Sequence, residues 1–454
     1  MGNSHTSGQG WDFKDERGGT RSFVFHPFLK KPDFDENHPS ALLRSPENRL
    51  EEAVSLGVAI GLECVAKTLI PLTKIIPATY IGGGKVEEIA ERVEQEEIDL
   101  VIADCQLSPL QQRNLEKQLK VKVIDRTGLI LEIFGERAQT REGVLQVDLA
   151  HLEYQKSRLV RSWTHLERQR GGGGFMGGPG ERQIESDRRM IKDRISHLKK
   201  QLKEVERTRT LHRQSREKVP FPIVAFVGYT NAGKSTLFNR LTEASVMAKD
   251  MLFATLDPTM RSIELKDSNK KIILSDTVGF ISDLPTELIA AFKATLEEVL
   301  SAHVIVHVFD AAHPDVDAQR ADVNQVMASL GVNPDNVPVI EAANKIDLLT
   351  DEQKELIWQG QVEGSYKVSL SALTGEGTDD LLSMVSNLLA RDEVMVTYQV
   401  PFQEGKARAW LFEKGDVKEH RISEDQLSEF ICVVMSERKH ASFQSDYPKI
   451  RSMT

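Results

Sequence analysis

Gly228 and Gly233 enclose four residues, Tyr229, Thr230, Asn231 and Ala232, and are followed by Lys234, Ser235 and Thr236. Glycines at this spacing let successive backbone N–H groups turn inward around a phosphate, while the helix that follows points its positive end at the same charge. The apolar run Phe221–Val227 before the glycines and the segment Thr236–Leu241 after them have the strand and helix character that such a loop needs. Residues 228–236 therefore read as a phosphate-binding loop. In it Lys234 reaches the β- and γ-phosphates during catalysis and Ser235 ligates Mg²⁺.

Downstream motifs choose the base. The apolar strand pattern at 272–276 ends in Asp276, with Gly279 three residues on, which places a carboxylate to hold Mg²⁺ and a glycine N–H at the γ-phosphate. A second strand ends in Asn344, Lys345 and Asp347. A carboxylate accepts hydrogen bonds and cannot donate them, so Asp347 suits the N1–H and N2–H₂ donors of guanine and repels the acceptor N1 of adenine. Ser371, Ala372 and Leu373 follow a last strand and are placed to support the guanine O6. The remaining switch lies between Leu241 and Lys271, where Thr255 is the expected ligand of Mg²⁺ and the γ-phosphate and Thr259 the alternative. Phe280 occupies the position after Gly279 at which many small GTPases carry a glutamine that orients water. An aromatic ring cannot do this, so hydrolysis by the isolated chain is expected to be slow.

Around these motifs the 454 residues are long enough for three or four modules. The expected architecture is α/β: residues 1–48 as a disordered polar tail, 49–137 as a small α/β domain, 138–218 as an antiparallel helical hairpin, 219–391 as the P-loop GTPase domain and 392–454 as a small α/β C-terminal domain. Within these, 53–64 and 407–412 read as strands, and Gly415 as part of a hairpin turn. Ser108 and Pro109 mark a helix start, and Gly82 to Lys85 a helix-start turn. Cys64, Cys105 and Cys432 have no metal-ligand spacing and are expected to be buried small residues in a reducing cytosol. No long apolar run predicts a membrane span. Met1 to Thr6 matches the short myristoylation pattern, whereas the acids at 12, 15 and 16 argue against a transit peptide.

The hairpin carries the charge asymmetry. The whole chain has a net charge of −10, yet residues 137–218 hold 20 Lys and Arg against 11 Asp and Glu, a local +9 that leaves −19 for the remainder. Such a segment suits a polyanionic backbone. Leu145, Leu149, Leu152, Leu159, Trp163 and Leu166, then Ile184, Ile191, Ile195, Leu198, Leu202 and Val205, give each helix a narrow apolar seam. Between the helices the stretch Gly171, Gly174, Phe175 to Gly180 cannot be helical. Together with Arg168, Arg170, Arg182, Arg188 and Arg189 it is the expected RNA-binding tip, where glycines allow close backbone approach.

The strings Tyr80–Glu88, Leu107–Leu115, Val123–Thr127 with Ile133 and Phe134, Gly171–Glu181 with Asp187, Arg188 and Arg189, and Phe253–Thr259 resemble those of HflX-family GTPases. The resemblance spans about residues 80–391 and implies a cytoplasmic, monomeric GTPase. It further implies binding to the large ribosomal subunit and its RNA, and splitting of stalled ribosomes under stress, with no DNA or membrane partner. Asn231 also resembles the asparagine that in a subset of bacterial GTPases helps hold K⁺ beside the phosphates; a loop-stabilising asparagine is the other reading. A contrasting function is a GTP-dependent regulator that docks protein partners through the hairpin.

Overall fold

A computed structural model describes residues 19–30, 44–138, 140–168, 179–216, 221–243, 259–266, 270–282, 299–333, 337–358, 366–391, 393–423 and 427–453. The N-terminal domain is a four-stranded parallel sheet of order β2-β1-β3-β4, built from β1 (Arg21–Leu29), β2 (Glu63–Leu72), β3 (Leu100–Ala103) and β4 (Lys122–Asp125). β1 corrects the expectation of a coreless tail, because Phe23, Val24 and Phe25 are fully buried at its centre. An interior parallel strand is covered on both faces and shows no alternation. Here its apolar run is short, contains Pro27 and lies between polar stretches.

The expected strand at 53–64 is instead mostly helix, α1 (Pro46–Ala59). Ser45 caps it by accepting from the Asn48 N–H, Pro46 opens the first turn, and Leu50, Ala53, Leu56 and Gly57 line its buried side at helical spacing. α2 (Gly83–Gln95) starts from Gly82, and α3 (Pro109–Leu119) from a capping box of Ser108 and Gln111. α4 (Arg126–Arg137) follows β4 directly, capped by Asp125.

α5 (Arg141–Arg168) and α6 (Pro179–Arg216) pack together as the arm. Ile195, Leu198 and Leu202 of the expected seam are buried; on α5, among the described side chains, Val147 and Ala150 are buried and the seam residues Leu145, Leu149 and Leu152 half-buried, while Leu159, Trp163 and Leu166 lie outside them. Arg170, Gly171, Gly174 and Phe175 lie outside the described residues. Gly180 and Arg182, expected in the loop, belong to the first turn of α6, which Pro179 opens at the position where a missing N–H costs nothing.

The central sheet has the order β10-β9-β8-β5-β7-β6. Its strands are β5 (Ile223–Val227), β6 (Thr259–Glu264), β7 (Lys271–Asp276), β8 (Val304–Asp310), β9 (Val339–Asn344) and β10 (Tyr366–Ser369). All neighbours are parallel except β6 and β7. Among the described residues this domain's helices are α7 (Lys234–Thr242), α8 (Val316–Ser329), α9 (Asp351–Leu356) and α10 (Thr378–Arg391). One apolar cluster runs from Val24, Leu56 and Ile130 to Val227, Tyr229, Phe280 and Ile305, so the first and second α/β domains share a core.

The C-terminal domain has β11 (Glu393–Pro401), α11 (Gly405–Lys414), β12 (Asp416–Ile422), β13 (Ser428–Ser436), α12 (Glu437–Asp446) and β14 (Arg451–Met453) in an antiparallel sheet of order β12-β13-β11-β14. The expected strand at 407–412 lies within α11, whose Ala407 and Leu411, four residues apart, face the core. Gly415 therefore joins a helix to a strand and is no hairpin turn. The three cysteines are free and only partly buried. Among the described residues no helix is long and apolar enough to cross a membrane.

Candidate nucleotide site and its interdomain support

The glycine loop leaves the C-terminal end of β5, between β8 and β7, where an open α/β sheet offers a crevice for ligands. Both loop glycines are required sterically. A Cβ on Gly228, at φ +153, would collide with the Val308 carbonyl oxygen, and one on Gly233, at φ +93, with Nδ2 of Asn344. Lys234 Nζ donates to the carbonyls of Gly228 at 3.1 Å and Tyr229 at 2.8 Å. Burial pushes its amine down to about 8, with Asp276 acting the other way. The Ser235 hydroxyl donates to Asp276 Oδ2 at 2.7 Å, which sets a hydroxyl and a carboxylate side by side, the hard oxygen set that Mg²⁺ takes. Gly279 lies against Thr230 and Lys234, so no side chain fits between it and the loop.

The stretch after Asp276 is hydrogen-bonded to the loop. Thr230 N–H donates to the Phe280 carbonyl at 2.7 Å, and Phe280 N–H to that of Gly228 at 3.1 Å. The Phe280 ring is buried and carries no polar group. Asn231, at φ +59, is exposed at the loop crest, and Thr236 lies in α7. Thr255 lies outside the described residues, and Thr259 opens β6 opposite Asp276.

The expected guanine residues converge from the ends of β9 and β10. Asn344, almost wholly buried, donates through Nδ2 to the Ala232 carbonyl at 2.7 Å and accepts at Oδ1 from the Ala372 N–H at 2.9 Å. One amide therefore ties the phosphate loop to the Ser371–Leu373 loop. Ser371 donates its hydroxyl to Asp347 Oδ1 at 2.5 Å. Lys345, at φ +65, pairs with Asp310 at 2.8 Å. Arg240 Nε donates to the Ala372 carbonyl at 2.7 Å, and Leu373 is exposed beside it.

Sequence reasoning missed the support behind the loop. Tyr229 counts among the loop residues, yet its side chain points away from the glycines into the N-terminal domain. Its hydroxyl donates to Glu52 Oε2 at 2.7 Å and accepts from Arg44 at 3.0 Å and from the Ser282 N–H at 2.8 Å. Arg44 also pairs with Glu52 and Asp322, and Arg126 with Glu52. Arg126 further reaches Asp104 Oδ1 at 2.6 Å and the Ser282 hydroxyl at 2.8 Å, and His26 Nδ1 lies 2.8 Å from Asp104. Burial alone would raise the Glu52 and Asp104 carboxyls, but Arg126, with Arg44 at Glu52 and His26 at Asp104, outweighs it and holds both below the usual range. Burial, reinforced by the Glu52 charge, raises the Tyr229 phenol. The only local signal was a set of charged residues inside apolar stretches, which gives no hint that residues 177 positions apart meet.

On the arm, Arg188 and Arg189 are exposed on α6, and Arg168 ends α5. Three family profiles match the chain: "GTP-binding GTPase N-terminal" over residues 47–135, "GTP-binding GTPase Middle Region" over 137–216 and "50S ribosome-binding GTPase" over 223–345. A GTPase HflX of Magnetococcus marinus is 54% identical over 83% of this chain and 86% of its own length. Those of Escherichia coli and Caldanaerobacter subterraneus are 44% and 43% identical, covering 83% and 86% of this chain and 87% and 88% of their own. At this identity, with the phosphate loop, the Asp276–Gly279 turn and the Asn344–Asp347 motif converging on one crevice, the chain belongs to the HflX family of P-loop GTPases and is a GTP hydrolase.

Proposed function

We propose that this GTPase acts on the large ribosomal subunit in the cytoplasm, using GTP to split or rescue stalled ribosomes. The observation that carries this reading is the arm: two long packed helices holding a +9 segment on an otherwise acidic chain. A family profile named for 50S ribosome binding supports it. Arg168, Arg170, Arg182, Arg188 and Arg189 contact ribosomal RNA, and Gly171, Gly174, Phe175 and Gly180 let the tip approach it closely.

In the nucleotide site the N–H groups of residues 228–236 cradle the phosphates, and Lys234 neutralises charge developing on the transferring group. Ser235, Asp276 and Thr255 would hold Mg²⁺, which would supply positive charge against the phosphates of GTP. The Gly279 N–H meets the γ-phosphate. Asp347 accepts from guanine N1–H and N2–H₂, while Asn344 and Lys345 frame the base with Ser371, Ala372 and Leu373 at O6. Because Phe280 offers no group to orient water, turnover waits on a group supplied by K⁺ near Asn231 or by the ribosome.

Binding to purified large subunits at rising salt tests the reading. Phosphate contacts give a steep loss of affinity. A shallow slope would favour an arm that docks proteins. Replacing residues 171–180 with a short Gly-Ser link should leave GTP binding intact and abolish the fall in light scattering of intact ribosomes with GTP. Undiminished splitting would make the loop a mere connector.

A further inference from the structure

Two adjacent residues, Asp125 and Arg126, face opposite neighbours. Both are buried at the junction of β4 and α4. Arg126 turns towards the nucleotide domain, where its guanidinium donates to the Ser282 hydroxyl at 2.8 Å and carbonyl at 3.3 Å, two residues beyond Phe280. Asp125 turns towards the arm. Its Oδ1 accepts from the Tyr154 hydroxyl and its Oδ2 from Arg158, both at 2.6 Å, while the N–H groups of Gly128 at 2.9 Å and Leu107 at 3.2 Å hold the carboxylate in place. Tyr154 and Arg158 are one turn apart on α5, and the Arg158 guanidinium lies over the Tyr154 ring, 4.2 Å from its centroid. Gly128 makes the approach possible, since a Cβ there would press on Ile124 and on the Tyr154 hydroxyl, at 2.9 and 3.0 Å.

We infer that the Asp125–Arg126 pair is a positioning device that couples the segment after Gly279 to the base of the α5–α6 arm, so that the guanine-nucleotide state sets how the arm is held. Three features carry this. The two side chains share one stretch of backbone, paired with β3 up to Asp125 and continuing directly into the capped helix α4. Each makes charge-assisted hydrogen bonds shielded from water, which are strong and directional. The Ser282 end follows directly on the Asp276–Gly279 turn, the part of a GTPase that moves with the γ-phosphate. A shift of Ser282 must therefore carry Arg126, or break its buried bonds; Arg126 in turn carries the Asp125 carboxylate on which α5 rests. The purpose of such coupling rests on the proposed role of the arm on ribosomal RNA, but the coupling itself is independent of it.

Hydrogen exchange on the full chain tests the inference without ribosomes. Amides of residues 141–160 should exchange at rates differing by about tenfold or more between the GDP form and the form with a non-hydrolysable GTP analogue, within the range of ordinary allosteric coupling. The double variant Tyr154→Phe/Arg158→Gln should bring that ratio below about twofold, while affinity for a fluorescent GDP changes by less than about twofold. If the double variant folds poorly, Tyr154→Phe alone removes one hydrogen bond with little change of volume and should lower the ratio part of the way. An unchanged ratio in a folded variant, or no nucleotide dependence in the unaltered protein, overturns the coupling. Binding of the unaltered protein to large subunits is measured in parallel. Subunit binding without nucleotide-dependent exchange removes the coupling and leaves the proposed function standing; the reverse result removes the function and leaves the coupling.

Discussion

The Tyr229 hydroxyl, on the phosphate loop, donates to Glu52 Oε2 on α1 at 2.7 Å, across a boundary that separates two α/β domains. The bond lies in a cluster with Arg44, Arg126 and Ser282, above an apolar core that both domains share. The loop is thus held from behind by residues of another domain and of the stretch after Gly279. Tyr229→Phe keeps the ring and deletes the hydroxyl, leaving Arg44, Glu52 and the Ser282 N–H each short of one partner. The expected cost is about 1–3 kcal/mol for the unsatisfied buried groups, seen as a lowered unfolding midpoint. Calorimetry without nucleotide measures it; an unchanged midpoint would mean that water replaces the hydroxyl.

The placement of the motif residues at strand ends and at a helix start was legible because it is local. A glycine loop, a strand-end carboxylate and Asn-Lys-x-Asp carry their roles in type and spacing. Ser108 and Pro109 likewise marked a helix start that depends on nearby atoms alone. What failed was decided by distant packing. Phe23 to Phe25 form a strand only because β2 and β3 arrive to flank them. The small residues of 53–59 fit a buried helix as well as a buried strand, and periodicity alone does not separate the two. The Glu52–Tyr229 contact could not be read at all, since nothing in either local sequence names the other.

Asp347→Asn should move base preference from guanine towards xanthine. The amide both donates and accepts where the carboxylate only accepts, and it also disturbs the 2.5 Å hydrogen bond from Ser371. GDP affinity should fall by about 100-fold or more, close to 2.7 kcal/mol, with a gain for XDP. Competition titration with the two nucleotides gives the ratio, and normal GTP turnover without gain for XTP would refute the base assignment.

Asn344→Ala should weaken nucleotide binding without contact to phosphate. Its amide links the Ala232 carbonyl to the Ala372 N–H. Removing it leaves two buried backbone groups unpaired, at about 1–3 kcal/mol. Both nucleotide-binding loops should then exchange faster in the nucleotide-free protein. Protection equal to that of the unaltered chain would show that the loops hold their places independently.

His307, on β8, is buried, and among the described residues neither ring nitrogen has a hydrogen-bond partner. Burial, aided by Arg320 and Lys234, pushes the imidazole down to about 3. The native state therefore stays neutral where an unfolded chain, titrating near 6.5, takes up a proton, so stability should fall as pH drops below about 6.5. The slope approaches about 1.4 kcal/mol per unit once the unfolded histidine is protonated. Glu52 and Asp104, held below the usual carboxylate range, have the folded charged form favoured, and their contribution is lost only at lower pH, below about 4. Burial also lowers His151, which adds to the loss in the same window; in denaturant titrations at pH 7 and 5, His307→Leu should therefore reduce the loss without abolishing it, and an equal loss in both proteins would assign it elsewhere.

Monovalent cations should control turnover. Phe280 is buried with its ring away from solvent and brings no hydrogen-bond donor to the γ-phosphate. Asn231 is exposed on the crest of the phosphate loop in a left-handed conformation, φ +59. A cation held there would supply the positive charge that an arginine finger brings to other GTPases, an effect large enough to dominate turnover. Turnover in K⁺ should exceed that in Na⁺ by about tenfold or more, and Asn231→Ala should reduce it to the Na⁺ level without weakening GDP binding, because GDP lacks the γ-phosphate at which that charge acts. Equal rates in the two salts would reduce Asn231 to a loop residue, and the missing charge would then have to come from the ribosome.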